Sequence, residues 1–215
     1  MALEALVFDA YGTLFDVHSV MRRCDGLWPG KGAALSQLWR AKQLEYTWQR
    51  SLMQRYVPFS QVTREALEYA CAALALRLDE AGLRSLMEEY LRLSLYPEVR
   101  EALETFRPLK LAILTNGSPD MIDPLVKSSG LEFDAVLSVA EIKIFKPAPQ
   151  VYGLAVRRLG MAAESIGFVS SNCWDALGAK SFGFRVYWIN RLGAPVERLG
   201  FQPDGMIESL AGIRA

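Results

Sequence analysis

Leu6-Val7-Phe8-Asp9-Ala10-Tyr11-Gly12-Thr13-Leu14 is the stretch that decides how the rest of the chain reads. A short apolar run ends in an acid, and turn chemistry and a hydroxyl come next. Ala5 to Phe8 carry no charge, which predicts a strand buried on both faces, as in a parallel sheet. Asp9 falls where that strand ends, and Gly12 supplies the backbone freedom for a sharp turn. Ligands of open α/β sheets sit beyond the carboxyl ends of the strands. Asp9 is therefore placed to act on a ligand, or else it caps a turn, as acids at strand ends often do.

What recurs downstream weighs between the two. From Glu98 onward, strands alternate with helices. Residues 110–114 predict a strand running into Thr115-Asn116-Gly117-Ser118-Pro119, then a helix over 120–129 that stops at Gly130. Residues 135–139 predict a third strand, leading to a loop with Lys143, Lys146 and Pro147 and a helix over 150–159. Residues 166–169 predict a fourth, followed by Ser170-Ser171-Asn172-Cys173-Trp174-Asp175, a short helix ending near Gly183, and a fifth strand over 186–189. Such alternation implies βαβ units and an α/β fold: a Rossmann-like parallel sheet flanked by helices. Each strand then delivers a polar group to one edge: Asp9 with Thr13, Thr115 with Asn116, Lys146, and Ser170 with Asn172 and Asp175. One such cluster is commonplace, but four on one edge point to a functional site.

Residues 17–95 contain no convincing strand. Leu35, Leu38 and Trp39, then Leu44, Trp48 and Leu52, recur at helical intervals. A helix is expected over 63–78 with Ser60 or Thr63 as its cap, another over 83–95, and Pro97 closes the block. The division expected is a core of residues 1–14 and 98–215 with a helical insertion at 15–97.

Composition narrows the chemistry. Lys plus Arg and Asp plus Glu both number 24 in the 215 residues, so net charge gives no argument for nucleic acid or an anionic membrane as partner. The N-terminal apolar run contains Glu4 and Asp9 and does not read as a signal peptide. No apolar run approaches the ~20 residues that span a bilayer. Cys24, Cys71 and Cys173 lack ligand spacing and fit a reduced, cytoplasmic protein. His18 is the single histidine and is read as a surface or linker residue. With no Gly-x-Ser-x-Gly elbow either, any hydrolysis would have to run on carboxylates, lysine and bound water.

The four clusters, in this order, resemble the haloacid dehalogenase superfamily of hydrolases. That resemblance implies an aspartate nucleophile after the first strand and a cap inserted after it, here residues 15–97. Phosphatases of the superfamily carry Asp-x-Asp, and Tyr11 stands here at the second acid. The phosphatases also need an acid pair after the fourth strand to help hold magnesium, where this chain has Ser170, Ser171 and Asn172 with only Asp175. Both departures match the L-2-haloacid dehalogenase branch, as do Leu38-Trp39-Arg40, the run from Lys42 to Trp48, Arg50-Ser51-Leu52-Met53, Tyr56 and Pro58-Phe59. In the core the match includes Phe145-Lys146-Pro147, Val151-Tyr152 and Ser170-Ser171-Asn172 with Trp174-Asp175. Ala41 stands where the branch tends to have glutamine, and Thr115 where it usually has serine.

The resemblance implies hydrolysis of a small 2-haloalkanoic acid without cofactor or metal, in a homodimer. Asp9 would attack C2 from the back, and water would then cleave the aspartyl ester. Lys146 would neutralise Asp9, with Tyr152 and Ser170 fixing its position, while Thr13 orients the nucleophile. Thr115 and Asn116 would bind the substrate carboxylate, and Arg40 would stabilise the departing halide. Tyr11, Leu44, Phe59 and Trp174 would wall the halogen, or equally be plain core. Asn172 would contact the halide or Asp9, and Asp175 would activate water or hold Lys146. Two alternatives stay open at this point: a superfamily phosphatase acting on a small phosphomonoester, and a non-catalytic binder of small acids.

Overall fold

The computed structural model describes residues 2–213; the side chain of His18, and with it the surface or linker reading, lies outside the described residues. Six strands form one sheet: β1 (Ala5–Phe8), β2 (Lys110–Thr115), β3 (Ala135–Ser138), β4 (Ile166–Ser170), β5 (Arg185–Ile189) and β6 (Gly205–Ile207). All pair in parallel, in the order β3-β2-β1-β4-β5-β6. This is the Rossmann-like α/β sheet expected. The four residues of β1 are fully buried, because the central strand is covered on both faces. The chain builds outward from β1 on one side and then crosses to β4 on the other. The reversal of strand order beside β1 opens the crevice in which such sheets hold ligands. Asp9 and Ser170 lie at its lip.

Helices α1 (His18–Leu27), α2 (Gly32–Leu52), α3 (Phe59–Ala73) and α4 (Glu80–Glu89) lie between β1 and β2, where helical periodicity placed them. Their boundaries differ from expectation. α3 begins at Phe59 after Pro58, so Ser60 and Thr63 sit inside the helix and cap nothing. It ends at Ala73, and α4 starts earlier than expected because Asp79 caps it, accepting from Gly82 N at 2.7 Å. α2 buries Leu35, Trp39, Gln43 and Thr47, one face at four-residue steps. The second set of apolar residues faces elsewhere, and Leu52 is 86% exposed. The remaining helices, α5 (Val99–Thr105), α6 (Pro119–Ser129), α7 (Pro149–Leu159) and α8 (Cys173–Phe182), connect the strands. β6 went unforeseen, since Gly205-Met206-Ile207 is too short to show a period.

The two crossings between sheet and helical segment run antiparallel to each other. Tyr96 N donates to Leu14 O at 3.1 Å and Asp16 N to Ser94 O at 2.7 Å. Arg191, just past β5, fastens both crossings. It pairs with Glu98 at 2.7 Å, donates to Thr13 O at 3.2 Å and lies 3.7 Å over the Tyr96 ring.

Candidate active site

The site is assembled from strand ends. Asp9 N donates to Val169 O at 2.9 Å, which pins the end of β1 to β4. The chain then turns tightly: Thr13, Leu14 and Phe15 all donate to the Ala10 carbonyl. Gly12 takes φ +86°, a conformation that favours glycine, and a Cβ there would crowd Ser171 Oγ at 3.2 Å. The turn brings Thr13 back over Asp9. Its Oγ lies 3.2 Å from Asp9 Oδ2 and 3.2 Å from Ser171 Oγ, so its single proton serves one of them at a time.

The Asp9 carboxylate is gripped on both oxygens. Oδ1 accepts from Lys146 Nζ at 3.1 Å, and Oδ2 accepts from Asn172 Nδ2 at 2.8 Å as well as facing Thr13. Lys146 is 1% exposed and donates also to Asp175 Oδ2 at 2.8 Å. Its ammonium thus sits between two acids. Burial alone would lower its pKa, but Asp175 and Asp9 outweigh that and hold it above the ordinary lysine value. Asp175, fully buried at the start of α8, is pushed up to about 6, chiefly by desolvation and against the pull of Lys146.

Tyr152 and Ser170 come to the cluster, but by a different route from the one expected. Both hydroxyls donate to Asp175, Tyr152 to Oδ1 at 2.9 Å and Ser170 to Oδ2 at 3.2 Å, and Asp175 in turn holds Lys146. An ammonium offers only donors, so two hydroxyls reach it best through a shared carboxylate. Gly178 makes room for this, since a Cβ there would meet the Tyr152 hydroxyl at 2.5 Å. Burial drives the Tyr152 phenol well above its usual pKa, which keeps it a donor.

The β2 loop is committed in part. Thr115 Oγ accepts from Gly117 N at 3.0 Å and keeps its own proton to donate, while Asn116 Oδ1 accepts from Lys146 N at 2.9 Å and keeps its amide hydrogens free of that bond. α6 begins directly after this loop, with Ser118 as its N-cap.

The helical segment supplies the opposite wall. Arg40 reaches Asn172 Oδ1 with NH2 at 3.4 Å and Gln43 Oε1 with NH1 at 2.6 Å. Tyr11 and Phe59 pack at 6.0 Å between ring centroids, and Tyr90 joins them 6.2 Å from Tyr11. The Tyr11 hydroxyl is buried and has no partner among the described residues, and it lies toward Gly117 and Thr115. Trp174 packs edge-on against Trp48 at 5.6 Å, and Leu44 is half-buried one turn beyond Arg40. A cavity of about 340 Å³ opens beside Tyr11, Arg40, Asn172, Ser171, Tyr96 and Arg191. Gln43, Ser118 and Ser171 are polar contributors that the sequence did not single out. For the first, no sequence signal was available, because the buried stripe of α2 mixes Gln43 and Thr47 with Leu35 and Trp39.

Residues 3–183 match the family model of haloacid dehalogenase-like hydrolases. The chain is 50% identical over 215 residues to an (S)-2-haloacid dehalogenase of Pseudomonas sp. (strain YL), covering 98% of this chain and 93% of that protein. A crystallised L-2-haloacid dehalogenase superposes with a TM-score of 0.97 at 48% identity, covering 98% of this chain and 96% of that one. Another, from Xanthobacter autotrophicus with chloropropionic acid covalently bound, gives 0.90 at 42% identity over 97% and 95% of the two chains. A buried carboxylate–lysine–carboxylate cluster at the β1/β4 crevice, with Tyr11 in place of a second acid, thus sits in a chain that belongs to the haloacid dehalogenase-like hydrolases and, among them, to the (S)-2-haloacid dehalogenases.

Proposed function

We propose that the protein hydrolyses L-2-haloacids to D-2-hydroxy acids and halide through a covalent ester on Asp9. The observation that carries this reading is the grip on Asp9: a carboxylate held by Lys146, Asn172 and Thr13, with an aromatic ring two residues on in place of an acid. A halide leaves without a proton, so the missing acid is no loss for this reaction and a serious one for phosphomonoester cleavage.

An Asp9 oxygen attacks C2 from the side opposite the halogen. The new C–O bond forms as the C–halogen bond breaks, its electron pair leaves with the halide, and the stereocentre inverts. Alignment of nucleophile and carbon contributes roughly 7–11 kcal/mol in well-oriented systems. Substrate and nucleophile are both anions, and the Lys146 ammonium offsets their repulsion. Thr115, Asn116 and the first turn of α6 receive the substrate carboxylate, with the orphan Tyr11 hydroxyl as a further donor. Arg40 cradles the departing halide. Tyr11, Leu44, Phe59 and Trp174 wall the halogen off from water.

Water then attacks Cγ of Asp9. Its oxygen stays on the carboxylate, and its protons leave with the hydroxy acid and to the surrounding groups. Both Asp175 oxygens already accept bonds from Lys146, Ser170 and Tyr152, which favours a role in holding Lys146 over one in activating water. Residues 15–97 act as a cap closing over the crevice, and the enzyme works as a cytoplasmic homodimer. Chloride release from the two enantiomers of 2-chloropropionate tests the reading. The L form should yield D-lactate and chloride while the D form stays intact. Reaction of the D form, or phosphate release from a phosphomonoester in its stead, would count against it.

A further inference from the structure

Gln43 is fully buried on a helix face it shares with Leu35, Trp39 and Thr47. An amide in that setting is tolerated only when its polar atoms are bonded, and both ends of this one are. Nε2 donates to Thr63 Oγ at 2.7 Å, and Oε1 accepts from Arg40 NH1 at 2.6 Å. Thr63 fixes which way round the amide stands. Its hydroxyl proton goes to Phe59 O at 2.7 Å, so towards Gln43 it can only accept. The Gln43 carbonyl oxygen must therefore face Arg40. Thr63 is itself held, since its carbonyl accepts from Trp39 Nε1 at 2.8 Å.

Arg40 lies one turn before Gln43 on α2, and its hydrogen bond to Asn172 is a long 3.4 Å. An arginine side chain has many rotamers, and the short bond to a fixed carbonyl selects one. The acceptor is neutral, so it orients the guanidinium without cancelling the charge that a departing halide needs. A glutamate at this position would do both.

We propose that Gln43 is a positioning residue for the halide-release step, acting through Arg40 from an amide locked by Thr63. This rests on the reading of Arg40 as the halide cradle. A poorer leaving group depends more on that cradle, so the signature is a difference between halogens and not a general loss of rate.

The test compares single-turnover chloride and bromide release from L-2-chloropropionate and L-2-bromopropionate in Gln43→Met, Thr63→Val, Arg40→Met and the Gln43→Met/Arg40→Met double variant. Gln43→Met should slow chloride release about tenfold and bromide release clearly less. In the Arg40→Met background the same change should add less than about twofold, as expected for residues acting as a unit. Thr63→Val should shift the halogen ratio in the same direction by less, and it carries the test if Gln43→Met does not fold. Equal slowing of both halides, or additive losses in the double variant, overturns the proposal while leaving the Arg40 reading in place. If Arg40→Met itself leaves the halogen ratio unchanged, the cradle reading fails and the proposal falls with it.

Discussion

The two walls of the crevice are built on different principles. On the sheet side, Asp9, Lys146, Asp175, Tyr152 and Ser170 are all buried and joined in one network, with each charge met by an opposite charge or a donor. On the helical side, Arg40 stands half-buried, with one short bond to the locked amide of Gln43 and one long bond to Asn172. In the proposed mechanism the first wall makes and carries the covalent bond, and its buried charges tolerate little change. The second, in the same mechanism, deals with what leaves, and so admits adjustment. Substitution of Asp9 or Lys146 on the sheet side should therefore cost nearly all of the chemistry, while substitution on the helical side should grade it by substrate.

The largest effect belongs to the nucleophile. Asp9→Asn should lower the rate of halide release by at least about 10⁴-fold, as loss of a covalent catalyst does in other hydrolases, measured with L-2-chloropropionate. Next comes Lys146→Met, which removes the cation between two acids. Halide release should fall by about 10³-fold, and denaturant unfolding should register about 3–5 kcal/mol of lost stability, the usual consequence of stranding a buried charge. A loss of stability without a loss of rate would make Lys146 a purely structural partner and blur the contrast between the walls.

Arg40→Lys tests the other wall. The charge survives but the planar fork does not, so halide release should drop by about 10²-fold with chloride and less with bromide. A loss as deep as that of Asp9→Asn, equal for both halogens, would break the distinction.

The smallest effect is a shift in pH profile. With Asp175 pushed up to about 6, its protonated fraction grows as pH falls through that value, so activity should decline on the acid side of about 6. The hydrogen bond from Tyr152 lowers the Asp175 pKa. Its loss in Tyr152→Phe should raise that pKa, carry the acid limb to higher pH and reduce the plateau by about tenfold, the scale of one lost buried hydrogen bond. An acid limb that stays in place would detach Tyr152 from the network.

The same contrast governs how much of the molecule is legible in its sequence. Strands of a parallel sheet are continuous apolar runs, and the residues just past each run must lie on one edge, so Asp9, Thr115, Lys146 and Asp175 read as a cluster from the sequence alone. Their wiring does not. Whether Tyr152 meets Lys146 or Asp175 depends on where α7 and α8 pack and on the missing side chain at Gly178, which no local period encodes. On the helical wall, periodicity finds α2 but not its inward face, because the buried stripe includes Gln43 and Thr47 while the apolar Leu52 points outward. Arg40 stands out only through family resemblance, since its meaning comes from a residue one turn away and another beyond β4. Helix boundaries miss wherever residue type alone selects the cap, as with Ser60 and Thr63.

The claim beneath all of this is that Asp9 itself becomes esterified. A single turnover of L-2-chloropropionate in water enriched in heavy oxygen, followed by mass spectrometry of the peptide containing Asp9, tests it most directly. One labelled oxygen on the Asp9 carboxylate, and none in the hydroxyl of the lactate from that first turnover, is the result expected. Labelled lactate with an unlabelled Asp9 would mean that water attacks C2 directly, and the account would be wrong at its centre.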